Sequence, residues 1–83
     1  MIDIKVVKFV DTGKWMDFTD ENGNEFSVDS KAWYKLSCTY NGVLFSWDNT
    51  KWKKNGKGKN PKGFEEWVEA MEQKAYKIYK AMN

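Results

Sequence analysis

Apolar and polar residues alternate along most of the first 48 residues of the chain, which is the pattern of strands that bury one face. Five runs show this pattern, and turn-forming residues separate them. The runs cover residues 2–10, 14–19, 25–28, 35–40 and 43–48. The pattern therefore predicts five short antiparallel strands.

Local features refine this prediction. The alternation breaks at Val6-Val7, which predicts a β-bulge or a strand that is buried on both faces. Asn41-Gly42 lies between two strand-like runs and predicts a two-residue type I′ hairpin, while Asn22-Gly23 marks an earlier hairpin. Residues 29–34 are ambiguous between extended chain and a single helical turn.

The last twenty residues have the pattern of an amphipathic helix, because their apolar positions recur every three or four residues. These positions are Phe64, Trp67, Val68, Met71, Ala75, Ile78 and Met82. Asn60 is a suitable capping residue and Pro61 a suitable residue for the first turn, so we expect a helix over about residues 61–81.

These elements predict a single domain, residues 1–83, of the α+β, mostly β class. Its β part covers about residues 2–48, its basic loop residues 49–59, and its helix about residues 61–81. We expect the strands to form either a small five-stranded antiparallel barrel or a curved meander, followed by the one C-terminal amphipathic helix.

The composition bears on where the protein works. Cys38 is the one cysteine, so no internal disulfide is expected. The N-terminus has no signal-peptide pattern, and no stretch approaches the ~18 apolar residues of a membrane span. We therefore expect a soluble, cytoplasmic protein. Lysine and asparagine have A/T-rich codons, which is consistent with a phage or another A/T-rich genome as the source.

Positive charge is concentrated in one segment. All fourteen basic residues are lysines, and six of them lie in residues 47–63. That segment has one acid, Asp48, and a net charge of +5, whereas the rest of the chain has eight lysines and eleven acids. The segment is either a solvated loop or a contact surface for a polyanion.

The residue types argue against an enzyme. Histidine is absent, which removes the usual neutral-pH general base, and no nucleophile, metal-cluster or P-loop pattern occurs. Asp17, Asp20 and Glu21 are interpreted as turn-forming residues, and Cys38 as a small buried hydrophobe. We expect no catalysis and no cofactor.

A binding surface is the alternative to an active site. Trp52 is surrounded by Lys51, Lys53 and Lys54, so a ring for base stacking adjoins cations for phosphate groups. Because arginine is absent, bidentate recognition of phosphate or guanine is excluded. The candidate nucleic-acid-binding residues are Lys14, Trp15, Tyr34, Lys51, Trp52, Lys53, Lys54, Lys57 and Lys59.

The orientation of the tryptophans stays open at this point. Trp52 either points outward among the lysines or folds onto the core. Trp15 lies on the polar face of its strand, and cover by the C-terminal helix is favoured over exposure. We expect Trp33 to close one end of the barrel, which leaves Tyr34 the more exposed of the two.

The run GKWMDFTDENGNEFSV, residues 13–28, resembles the second and third strands of OB-fold nucleic-acid-binding domains. The resemblance implies a five-stranded Greek-key barrel in which these strands and the adjacent loops bind oligonucleotides. It places Trp15 and Phe18 on or near the binding strands and residues 12–14 in the first loop. The lysine segment instead follows the fifth strand, and an SH3-like barrel or a curved meander explains the strand order equally well.

We therefore expect non-catalytic binding of single-stranded nucleic acid with little sequence preference, through lysine–phosphate contacts and tryptophan stacking. The alternative is a small intracellular protein-binding module or inhibitor, for example one encoded by a phage, that acts on a host protein with an acidic surface.

Overall fold

The computed structural model describes residues 3–82, except for the side chains of Tyr34 and Met82. These residues form six strands and one helix. They are β1 (Val6–Asp11), β2 (Trp15–Asp20), β3 (Glu25–Asp29), β4 (Ala32–Tyr40), β5 (Val43–Trp47), β6 (Trp52–Lys54) and α1 (Phe64–Met82). The α+β, mostly β class is confirmed, and no helix within residues 3–82 is long and apolar enough to cross a membrane.

The strands form one antiparallel sheet in the order β1-β2-β3-β4-β5-β6, in which each strand pairs with its neighbour in sequence. β1 and β6 are the two edges, so the sheet is an open meander. The prediction of a five-stranded closed barrel is therefore wrong, and the curved-meander alternative has the right strand order. The physical reason is that α1 covers the apolar face, which a closed sheet would otherwise have to bury against itself.

The sixth strand lies within residues 49–59, which were predicted to be a loop. Trp52 pairs with Trp47, and Lys54 pairs with Phe45. The preceding turn is held by Asp48, whose Oδ1 accepts hydrogen bonds from the backbone N–H and hydroxyl of Thr50 and from the Lys51 N–H.

The expected local features of the strands are mostly confirmed. The β1–β2 register shifts between Val6 and Lys8, which is the predicted bulge. Asn41 and Gly42 have φ angles of 50° and 80°, as a type I′ turn requires. The helical turn considered for residues 29–34 does not form, because β4 already begins at Ala32 and pairs there with β3.

The core lies between the sheet and α1. The sheet contributes Met16, Phe18, Phe26, Val28, Leu36, Cys38 and Phe45, and α1 contributes Phe64, Trp67, Val68, Met71 and Ala75. The rings of Phe45 and Phe64 are stacked with centroids 3.7 Å apart. This contact fixes the start of α1 over β5.

The helix begins at Phe64, later than the predicted start near residue 61. Gly63 has a φ of 87°, outside the right-handed helical region, so the helix cannot extend back through it. The Phe64 N–H donates instead to the Pro61 carbonyl at 3.2 Å. Asn60 and Pro61 therefore precede the helix rather than form its first turn.

A buried carboxylate joins the sheet to the helix. Asp20 at the end of β2 accepts hydrogen bonds from the Trp67 indole N–H at 2.9 Å and from the Asn24 and Asn22 backbone N–H groups. Asn24 also accepts from the Asn41 N–H, which links the β2–β3 and β4–β5 turns. Burial alone would raise the pKa of Asp20, but the hydrogen bonds from Trp67, Asn24 and Asn22 outweigh it and lower the pKa.

Candidate nucleic-acid interface

The basic segment follows the β6 edge of the sheet and the connection to α1. The β5–β6 turn carries Lys51 at one end of the edge. Beyond β6, residues 55–63 lead to the start of α1 at the other end of the sheet and carry Lys57, Lys59 and Lys62. The lysines are therefore spread along one side of the molecule.

The two lysines on β6 itself are engaged within the protein. Lys53 forms an ion pair with Asp48, with Nζ and Oδ2 3.2 Å apart. Hydrogen bonds from Thr50 and Lys51, and then the contact with Lys53, hold the pKa of Asp48 well below its usual range. The Lys54 ammonium folds back and donates to the Lys57 carbonyl.

The other four lysines of the segment have exposed side chains, and we call them the lysine edge: Lys51, Lys57, Lys59 and Lys62. Across residues 3–82, the Lys53–Asp48 contact is the one ion pair within 4.0 Å. The lysine edge therefore presents positive charge that no carboxylate of the described chain neutralises. Lys62 was not among the residues chosen from the sequence.

Trp52 points towards the core rather than outward among the lysines. Its ring centroid lies 5.4 Å from Trp47, 6.2 Å from Phe26 and 6.3 Å from Phe64, and Phe26 and Phe64 are buried. Lys53 lies on the opposite face of the strand. The KWKK run therefore does not present a ring and its cations together on one surface.

Trp15 and Lys14 lie far from the lysine edge. Trp15 is half-buried on the sheet face opposite α1, because it alternates with the buried Met16 and Phe18. The expectation that the helix covers Trp15 is therefore wrong. Three strands separate β2 from β6, which is a distance of about 19 Å at the usual strand spacing.

Trp33 and Tyr34 lie at the start of β4, near the C-terminal half of α1. Tyr34 belongs to β4, but its side chain lies outside the described residues. Trp33 does not close a barrel; it packs on the C-terminal half of α1, with ring centroids 5.3 Å from Tyr76 and 5.1 Å from Tyr79. Tyr76 is 45% exposed, and the Lys80 Nζ lies 5.7 Å from the centre of its ring. These two tyrosines were missed, although their spacing of three residues places them on one flank of the helix.

The sheet face opposite α1, which we call the open face, is a weaker candidate for a polyanion site, because its positive and negative side chains are equal in number. The register places three lysines and three acids on this face: Lys8, Lys35, Lys53, Asp17, Glu25 and Asp29. Short hydroxyl side chains occupy its centre, and the Ser27 hydroxyl donates to Asp17 at 2.6 Å. The lysine edge is therefore the stronger candidate of the two surfaces.

A cavity of about 310 Å³ lies where the β2–β3 and β4–β5 turns meet. Its lining includes three acidic residues, Asp3, Asp20 and Glu21, and one lysine, Lys5. The net charge of the lining is therefore negative, which disfavours an anion. Its buried polar groups are hydrogen-bonded to one another. No cluster of histidine, cysteine or acidic side chains in the described part of the chain is arranged to hold a metal ion.

Comparison with known proteins gives no relative: no family model, curated protein or solved structure matches the chain. The site must therefore be interpreted from its own geometry.

Proposed function

We propose that the protein binds nucleic acid without catalysis, through the lysine edge. The observation that carries this proposal is the exposure of Lys51, Lys57, Lys59 and Lys62 without a carboxylate partner in residues 3–82. The surrounding segment, residues 47–63, has a net charge of +5 in a chain whose net charge is only +2. A concentration of like charge in one segment favours the binding of a polyanion.

The mechanism is neutralisation of phosphates and release of counterions. If all four lysines contact phosphates, the logarithm of the affinity falls with the logarithm of the salt concentration with a slope of about −3. Lysines are point charges on flexible stems and carry no base-reading geometry, so sequence preference is expected to be low.

Fluorescence anisotropy with labelled oligonucleotides at low and physiological salt tests the proposal. The variant K51E/K57E/K59E reverses three charges of the lysine edge. The variant K5E/K8E/K74E makes the same change in net charge at exposed lysines elsewhere. We expect the first variant to reduce the salt slope by about 1 per lysine and the second to leave the slope unchanged. Absence of binding at low salt, or equal loss in both variants, would contradict the proposal.

A protein-binding module is the second candidate, and the β1 edge supports it. β1 has an unpaired side, and Val7 and Val10 are 56% and 39% exposed. Such an edge can accept a strand from a partner. Under this candidate, Val10→Lys abolishes binding to the partner, whereas K51E/K57E/K59E does not weaken it unless the partner is acidic.

A further inference from the structure

A second feature lies near one end of the lysine edge, and we call it the aromatic platform: the partly buried Trp33, the exposed Tyr76 and the Lys80 ammonium. The rings of Trp33 and Tyr76 meet edge to face, with an interplanar angle of 79°. Tyr76 is the most exposed aromatic side chain among the large hydrophobic residues of the described chain. An exposed ring of this size is not needed for the core.

The platform lies at the end of the sheet that carries Lys51, one member of the lysine edge. Ser37 pairs with Ser46 in the β4–β5 register. Because β4 and β5 are antiparallel neighbours, the start of β4, where Trp33 lies, is at the same end of the sheet as the β5–β6 turn. Lys51 belongs to that turn, so a chain that contacts Lys51 lies at the same end of the sheet as Trp33.

The charges around the platform decide which kind of partner fits it. Lys31, Lys77 and Lys80, which are near Trp33 or Tyr76 in the sequence, are exposed, and none has a carboxylate within 4.0 Å in the part of the chain that the structure describes. Lysine is depleted from the centres of protein–protein interfaces. Proteins that bind single-stranded nucleic acid, in contrast, combine aromatic rings with a positively charged surface.

We propose that Trp33 and Tyr76 stack on unpaired bases of a single-stranded nucleic acid whose phosphates follow the lysine edge. This inference rests on the proposed function and deepens it by naming the ligand class. In the structure the Lys80 Nζ lies over the Tyr76 ring, 5.7 Å from its centre. An exposed cation–π contact is weaker than base stacking, so a base displaces the ammonium, which then pairs with a phosphate.

The test compares single-stranded and duplex oligonucleotides of equal length, about 12 nucleotides, which is within the range of known single-strand sites. Tyr76→Ala is expected to weaken single-strand binding about tenfold, the loss of one stacking contact, and to leave duplex binding unchanged. Tyr76→Phe keeps the ring and is expected to bind as the wild type does. Trp15→Ala, which removes a half-buried ring on the opposite face, is the matched control and is expected to change neither affinity.

The fluorescence of Trp33 gives a readout that does not depend on the affinity measurement. Bound bases quench the fluorescence of a stacked indole, so Trp33→Phe is expected to remove part of the quenching that a single strand causes, whereas Trp15→Phe is not. Far-UV circular dichroism checks that each variant keeps its fold, and Trp33→Phe retains a ring against Tyr76 and Tyr79.

The outcomes separate the two proposals. If the wild type binds neither oligonucleotide at low salt, both proposals are wrong and a protein partner becomes the leading candidate. If K51E/K57E/K59E weakens binding but Tyr76→Ala leaves the ratio of single-strand to duplex affinity unchanged, the lysine edge stands and the aromatic platform is overturned.

Discussion

Replacing Trp52 by alanine tests whether this residue supports the fold or contacts a ligand. In the structure its ring lies among Phe26, Trp47 and Phe64, on the face of the sheet that α1 covers. We therefore expect Trp52→Ala to lower the stability of the protein strongly. Trp52→Phe keeps much of the packing and is expected to keep most of the stability.

The size of the effect follows from the area that the indole buries. Full burial of an aromatic side chain removes about 150–250 Å² from water, which stabilises by about 4–6 kcal/mol at about 25 cal/mol per Å². Trp52 is half-buried, which reduces the expected loss to about 3 kcal/mol. For a domain of this size, a loss of about 3 kcal/mol lowers Tm by about 12–24 °C.

Urea and thermal unfolding followed by far-UV circular dichroism measure this loss, with Trp15→Ala as the control. Trp15 is also half-buried but does not pack on the core, so its removal leaves no cavity in the core and is expected to cost less than the removal of Trp52. Our reasoning would be refuted if Trp52→Ala unfolded at the wild-type urea concentration and lost single-strand affinity. That result would place the indole on the ligand side, as base stacking by Trp52 requires.

Two further predictions concern buried groups. Asp20→Asn places an amide where the Trp67 and Asn24 side chains donate, so we expect a loss of about 2–3 kcal/mol at pH 7 in urea unfolding. Because the pKa of Asp20 is lowered, the stabilisation that it provides is present above pH 4 and is lost as the pH falls through the folded pKa; a variant with wild-type acid sensitivity would contradict this. Burial raises the pKa of Cys38 to about 12, so the native thiol is expected not to react with a disulfide reagent at pH 8, and to react fully in urea. Stability should also fall as the pH rises above about 9, because only the unfolded thiol then ionises; rapid native labelling would refute the burial of Cys38.

Features that depend on neighbouring residues could be predicted from the sequence. The β4–β5 hairpin follows from Asn41-Gly42, which tolerate positive φ, and the β1 bulge follows from the broken alternation at Val6-Val7. The amphipathic stripe of α1 likewise places Met71 and Ala75 in the core. In each case the signal lies within a few residues, so no knowledge of the tertiary arrangement is needed.

The sixth strand could not be predicted in this way. Its three residues include two lysines, and glycines follow closely, which is the composition of a loop. The strand forms because Trp52 gains contacts with Phe26 and Phe64, which are distant along the chain. Those contacts also decide against the outward orientation of Trp52, which the sequence left open.

The candidate site was predictable in its charge but not in its aromatic component. The concentration of lysines in residues 47–63 is visible in the sequence, and the structure shows four of them exposed and without a carboxylate within 4.0 Å in residues 3–82. Trp33 and Tyr76, however, are separated along the chain by the rest of β4, by β5 and β6, and by about two-thirds of α1. Only the packing of α1 along the sheet brings these two rings to within 5.3 Å.

A purely structural explanation of the basic segment is that its lysines protect the β6 edge of the sheet. Lysines on an edge strand prevent edge-to-edge pairing with other sheets, and β6 is an edge. That role applies to Lys53 and Lys54, which lie on the strand and are held by Asp48 and by the Lys57 carbonyl. The lysine edge lies beyond both ends of the strand, where there is no unpaired ladder to protect. Edge protection therefore accounts for the lysines that are already engaged and leaves the four exposed ones unexplained. The polyanionic ligand that we propose would give the positions of these four lysines a physical cause.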